Sequence, residues 1–192
     1  MPNRVVLLMV AVVTLAAPAA ARADGYVGPG LGVAFGNSSA RGLADFVLDA
    51  CWLYQQPIGL EVDTTFAPGF FNNQAPYGSN SVTAVMGNVM LAAREAGPSL
   101  PRGLHRGRTT RPYISGGFGS IHESTNAPVR AKTDLGTDLG AGVLATTSAQ
   151  IGVRADLRYF RDLVGSSEGN STSIDFGAFH FWRASVTILF RF

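Results

Sequence analysis

Apolar and polar side chains alternate along much of this chain. Between Ile58 and Phe70 (IGLEVDTTFAPGF) the even positions Ile58, Leu60, Val62, Phe66 and Phe70 are apolar, while Gly59, Glu61, Asp63, Thr65 and Gly69 are small or polar. A period of two places the two sets on opposite faces of a β-strand. QIGVRADLRYFRD repeats the rule, with Ile151, Val153, Ala155, Leu157 and Tyr159 on one face and Arg154, Asp156, Arg158 and Asp162 on the other. At the C-terminus Trp182, Ala184, Val186, Ile188, Phe190 and Phe192 oppose Arg183, Ser185, Thr187 and Arg191. YVGPGLGVAFG sets Val27, Leu31, Val33 and Phe35 against glycines, and DLGTDLGAGVLA sets Leu135, Leu139, Ala141 and Val143 against Asp134, Asp138 and glycines.

Three further segments carry the signal less cleanly. In LADFVLDACWLY, Ala44, Phe46, Leu48 and Trp52 face away from Asp45, Asp49 and Cys51, with Val47 and Leu53 interrupting the polar face. RPYISGGFGSI is too rich in glycine to assign faces, and SVTAVMGNVMLAA is apolar on both, with Asn88 suggesting that its even positions face inward. Together these segments predict eight strands, an all-β chain. Polar connections GNSSAR, FNNQAPYGSN, HESTNAPVRAK and VGSSEGNSTS alternate with the short links QQP and TSA. Long loops on one side and short turns on the other are the habit of outer-membrane barrels, whose even strand number returns both termini to the periplasmic side. One periplasmic-side connection breaks the habit: residues 94–111 are long and carry Arg94, Arg102, Arg106, Arg108 and Arg111.

The N-terminus sets the compartment. Arg4, an apolar run from Val5 to Ala17, and the small-residue site Ala21-Arg22-Ala23 form a secretory signal, with cleavage expected after Ala23. Residues 1–23 are then a signal peptide and residues 24–192 a single domain. Removing Arg4 and Arg22 leaves 13 basic and 13 acidic residues, so no global charge argues for nucleic acid. The single cysteine, Cys51, excludes an intramolecular disulfide. No His/Cys cluster has metal-ligand spacing, and no metal or cofactor is implied. The mature part has no second long apolar run, so it can span a membrane only as a closed barrel, where every backbone N–H and C=O is paired.

Alternation alone also fits a soluble barrel or sandwich. The polar sets here are built from Gly, Asp and Arg, and Lys132 is the only lysine. Solvated strand faces favour Lys and Glu, whereas glycine leaves room inside a narrow barrel and the arginine fork suits buried ion pairs. The expected inward charges are Asp45, Asp49, Glu61, Asp63, Asp134, Asp138 and Asp156 against Arg154, Arg158, Arg183 and Arg191. An eight-stranded barrel is just wide enough for side chains to fill, so these groups are expected to form a salt-bridged core. A narrow path for small solutes is the alternative. His122-Glu123-Ser124 holds base, acid and hydroxyl, but neighbours on a strand point to opposite faces. His180, beside Phe179, Phe181 and Trp182, reads as part of an interfacial girdle. No enzyme signature emerges.

From Gly25 to Phe192 the chain resembles the small outer-membrane β-barrel proteins of the OmpA/OmpX type, through IGLEVDTTFAPGFF, RPYISGGFGS, GVRADLRYFRD and the C-terminal strand. The resemblance implies an eight-stranded antiparallel up-and-down transmembrane barrel in the cell outer membrane. It also implies that Ser185, Phe190 and Phe192 act as an assembly signal, although Thr187 stands where that pattern has glycine. Barrel-assembly machinery and periplasmic chaperones would be partners during biogenesis, outer-membrane lipid the permanent surroundings, and a monomer the expected state. The expected role is structural or surface-interacting, with a minor pore and a lipid-modifying enzyme as alternatives.

Overall fold

The computed structural model describes residues 23–36, 43–54, 57–71, 78–93, 109–126, 129–146, 150–163 and 179–192. Residues 1–22, most of the expected signal peptide, and most of the expected loops, including 94–108, lie outside the described residues. The strands are β1 (Ala23–Phe35), β2 (Leu43–Tyr54), β3 (Ile58–Pro68), β4 (Asn80–Ala92), β5 (Thr109–Asn126), β6 (Val129–Thr146), β7 (Ile151–Asp162) and β8 (His180–Arg191). Each pairs antiparallel with the next, and β8 returns to β1, closing the barrel. Closure removes every sheet edge within the apolar zone. We call the end holding Ala23 and Phe192 the terminal rim, and the other the distal rim.

Alternation is inside-out relative to a soluble protein. Leu31, Phe46, Leu60, Val89, Ile114, Leu139, Leu157, Val186 and Ile188 are exposed on the outer surface, while Arg154, Arg158 and Arg183 are wholly buried within. The even positions of β4 face inward, as Asn88 suggested, and β5 turns Tyr113 and Ser115 inward. Along β8 the step from Trp182 to Phe192 is ten residues. At about 3.4 Å per residue and a tilt of about 40°, this climbs about 26 Å, the height of the ~25 Å apolar band of outer-membrane barrels. Trp182 and Phe192 thus mark its two borders.

Three expectations need correction. The alternation sets Phe70 with the outward side chains of β3, yet it is buried inside the distal end. β3 stops at Pro68, and Gly69 takes a left-handed φ of 70° that turns the chain inward. Asn80 fixes this turn: its Oδ1 accepts from the Phe71 N–H at 2.8 Å, and its backbone carbonyl accepts from Gly69 N–H at 2.7 Å. HESTNAPVRAK, expected as a loop, is mostly strand, because β5 and β6 go on pairing up to Asn126↔Val129. Arg111, placed in the arginine-rich connection, belongs to β5 and is buried inside.

Two glycine seams on opposite walls let neighbouring strands crowd together. A Cβ on Gly28 would lie 1.8 Å from the Ile188 carbonyl oxygen, and one on Gly119 would lie 1.9 Å from that of Val85. Missing side chains at such points allow the sharp bending that a narrow barrel requires.

Candidate functional site: a sealed ionic layer

The interior is stratified. Near the terminal rim Tyr26, Cys51, Leu53, Met90, Tyr113, Leu144 and Leu189 form one apolar cluster. Near the distal rim Phe70, Val82, Met86, Ile121, Phe160, Phe179 and Phe181 form another. Phe160 and Phe181 stack at 4.7 Å between ring centroids, and Phe70 meets Phe181 edge-on at 4.9 Å. Both clusters arise where an inward position is apolar, breaking the polar face of the simple pattern.

Between them lies the charge. Inward positions of β2, β3, β6, β7 and β8 deliver Asp49, Glu61, Asp63, Asp138, Arg154, Asp156, Arg158 and Arg183 to one layer, all buried. Arg158 bridges three acids: Nη2 to Glu61 Oε1 at 2.5 Å, Nη1 to Asp138 Oδ2 at 2.6 Å and Nε to Asp156 Oδ1 at 3.1 Å. Arg154 reaches Glu61 Oε2 at 3.0 Å and Asp156 Oδ2 at 3.2 Å, with Asp49 Oδ1 at 3.6 Å. Arg183 grips both oxygens of Asp63, at 2.6 and 2.8 Å, and also donates to Thr65. Such forked contacts are the geometry for which guanidinium is suited.

Neutral residues complete the layer, and single-face patterning did not identify them as its partners. Tyr113 donates to Asp156 Oδ2 at 2.6 Å and accepts from Arg154 Nε at 2.5 Å. Asn88 Nδ2 donates to both Glu61 and Asp138, Ser115 accepts from Arg158, and Thr187 donates to Asp49 at 2.8 Å. Two arginines also tie the layer to its lids: Arg154 lies 4.8 Å over the Tyr113 ring and Arg183 lies 5.2 Å over Phe160.

Other expected residues fall elsewhere. Asp45 faces inward opposite Gly32 and is fully buried, and neither carboxyl oxygen has a hydrogen-bond partner. Ser185 faces inward opposite the same glycine, its Oγ likewise without a partner. Asp134 lies higher, near the distal rim, with Lys132 at 2.6 Å, and Arg191 is exposed at the strand end. Phe190 and Phe192 are exposed on the outer face at the terminal rim. Ala23 opens β1, and Ala21 is outside the described residues.

Asp49, Glu61 and Asp63 each bring an oxygen within 4.8 Å of the others, a spacing that can hold a metal ion. Here Glu61 and Asp63 are turned to arginines, and Asp49 accepts from Thr187 with Arg154 at 3.6 Å from its other oxygen, so the set reads as ion pairs. His122 and Glu123 sit on opposite faces of β5: His122 Nδ1 is 2.8 Å from Thr133 Oγ1 on the exposed side, while Glu123 is buried.

An apolar exterior, an ionic interior and a closed antiparallel wall define a transmembrane β-barrel. The chain belongs to the family described as "Outer membrane protein beta-barrel domain", whose model matches residues 5–183. No curated protein matches it. Among solved structures it is similar in fold to Neisserial surface protein A, with a TM-score of 0.56 at 15% identity, covering 87% of this chain and 95% of that one. It is also similar to the N-terminal β-barrel domain of Pseudomonas aeruginosa OprF, with a TM-score of 0.52 at 12% identity, covering 89% of this chain and 100% of that one.

Proposed function

We propose that this protein is a non-conducting outer-membrane barrel with a structural or surface-interaction role. The observation that supports the reading is the ionic layer closed on both sides by apolar side chains. A permeating ion would have to pass from the charges of the distal rim, Glu123, Lys132, Asp134 and Asp162, through the Phe70, Phe160, Phe181 cluster before it reached the ionic layer. Buried charges without water are tolerated only when paired, and this network pairs them while fixing the register of five strands. On this reading the barrel is a rigid mount, and recognition falls to the distal rim and its connections, which face the cell exterior. The exported form is residues 24–192, inserted as a monomer through the barrel-assembly machinery with Ser185, Phe190 and Phe192 as the handle.

The test is the conductance of residues 24–192, refolded in detergent and inserted in a planar bilayer. A folded, silent barrel is the expected result. Stable, reproducible current steps would overturn the reading in favour of a pore for small solutes.

A further inference from the structure

Among the described residues every carboxylate whose side chain is described has the inward parity, and so do Arg111, Lys132, Arg154, Arg158 and Arg183. Arg161 is the exception. It is exposed on the outer face of β7, and in register with it on β8 stands His180. One rung toward the bilayer stand Tyr159 and Trp182, also paired, with ring centroids 5.0 Å apart; Tyr159 also lies 5.9 Å from the His180 ring. A further rung in are Leu157 and Ala184. The same two strands thus run from apolar to aromatic to cationic within three rungs.

That order copies the bilayer itself. Amphipathic rings of Trp and Tyr sit at headgroup level, and Trp182 marks the distal border of the apolar band derived above. A lipid-face arginine costs about 2–4 kcal/mol at the midplane but only ~0–1 near the interface. Arg161 lies just beyond the aromatic rung, where a phosphate is the group it would meet. A guanidinium offers a phosphate two parallel N–H donors, and a histidine ring adds another.

We propose that Arg161 and His180, supported by Tyr159 and Trp182, form a binding site for a phosphate-bearing lipid headgroup of the outer leaflet. The headgroup phosphate lies against the guanidinium, while the rings flank the glycerol or sugar region beneath it. Among the described residues no carboxylate shares the outer face with Arg161; its neighbour Asp162, which interacts with it electrostatically, has the inward parity. The site depends on the barrel lying in the outer membrane, not on whether its interior conducts.

The experiment compares residues 24–192 in phosphate-free maltoside detergent micelles carrying either a phosphorylated glycolipid or the same glycolipid dephosphorylated, with bound lipid counted by native mass spectrometry. The intact chain is expected to prefer the phosphorylated form. Arg161→Gln should weaken that preference about fivefold, the effect of about one basic residue near an anionic surface, and Arg161→Lys should keep most of it. Folding is checked by heat-modifiable gel migration. If Arg161→Gln does not fold, His180→Gln is read instead, with a smaller loss expected. An unchanged preference in the folded variant, or equal retention of both glycolipids by the intact chain, would overturn the proposal. Equally tight binding of inorganic phosphate would assign the site to a free anion instead of a lipid.

Discussion

The backbone N–H of Phe192 donates to the carbonyl of Gly25 at 3.1 Å, so the chain is held in the sheet to its last residue. The Phe192 ring lies over the same glycine, where a Cβ would come within 2.7 Å of it. Terminal residues fray unless tied down, and this contact ties the first strand to the last. Phe192→Ser keeps the backbone bond and removes the ring. If Phe192 is an assembly handle, the variant should accumulate poorly in the outer membrane yet lose no more than ~1 kcal/mol after refolding in vitro. Parallel measurements of membrane abundance and urea unfolding separate the two effects. Equal abundance with the natural chain would remove the handle role.

Arg158 touches Glu61, Asp138 and Asp156 together. Arg158→Met leaves buried acids without their shared cation and should destabilise the barrel by about 3–5 kcal/mol. Arg158→Lys should recover only part of this, since a single ammonium cannot reproduce the fork. Urea unfolding in lipid vesicles gives both values. A loss below ~1 kcal/mol for the methionine variant would mean that water reaches the layer.

Asp49 and Asp63 stand directly opposite each other on β2 and β3, both facing inward. Asp63 is gripped by Arg183, whereas Asp49 Oδ1 has no hydrogen-bond donor. Asp49→Asn keeps an acceptor for Thr187 and relieves the like-charge contact, so stability should hold within ~1 kcal/mol or rise. Asp63→Asn weakens the partner of a buried arginine and should lose about 3 kcal/mol. The reverse order in an unfolding series would show that Asp49 carries the network.

Adjacent residues of β8 should respond in opposite senses. Val186 is exposed near the middle of the apolar band, and Val186→Arg should lose about 2–4 kcal/mol. Ser185 is buried with an unpaired hydroxyl, so Ser185→Ala should be neutral or mildly stabilising in the refolded barrel. Reduced membrane abundance of Ser185→Ala, with its refolded stability unchanged, would support a role in assembly.

Glu123 lies inside the distal rim, above the band: on β5 the outward positions beyond Phe118 are Ser120 and His122, both exposed. Burial foremost, with Asp134 and Asp162 adding to it against the opposing Lys132, pushes its carboxyl from 4.5 up to about 7. A raised folded value means that the folded state holds the proton longer than the unfolded chain does. Stability should therefore fall as pH rises from about 4.5 to about 7, and Glu123→Gln should flatten that slope. Unfolding midpoints across this range, compared between the two chains, provide the check.

Strand number, the outward face and the inward charge set were legible because period two is a local property that each segment carries alone. Asp49, Glu61, Asp63, Arg154, Asp156, Arg158 and Arg183 could be placed on one surface without knowing which strand met which. Partner choice could not. That Arg158 joins Glu61 of β3 to Asp138 of β6 follows from closure across the barrel lumen, and lumen contacts link residues far apart in sequence.

Strand ends were decided the same way. Polar side chains in HESTNAPVRAK look like a loop, but a strand can continue wherever its neighbour goes on offering backbone partners, and β5 and β6 do so for each other. Phe70 shows the converse: Gly69 ends the alternation, and the ring enters the lumen because neighbouring aromatics make room for it. The sequence by itself determined a membrane barrel with a charged interior, since the alternation and the Gly, Asp and Arg composition are written residue by residue. Only the tertiary structure decided that apolar clusters seal this charge at both ends. A seal is a property of the closed wall, assembled from inward positions of different strands that meet only once β8 has paired with β1.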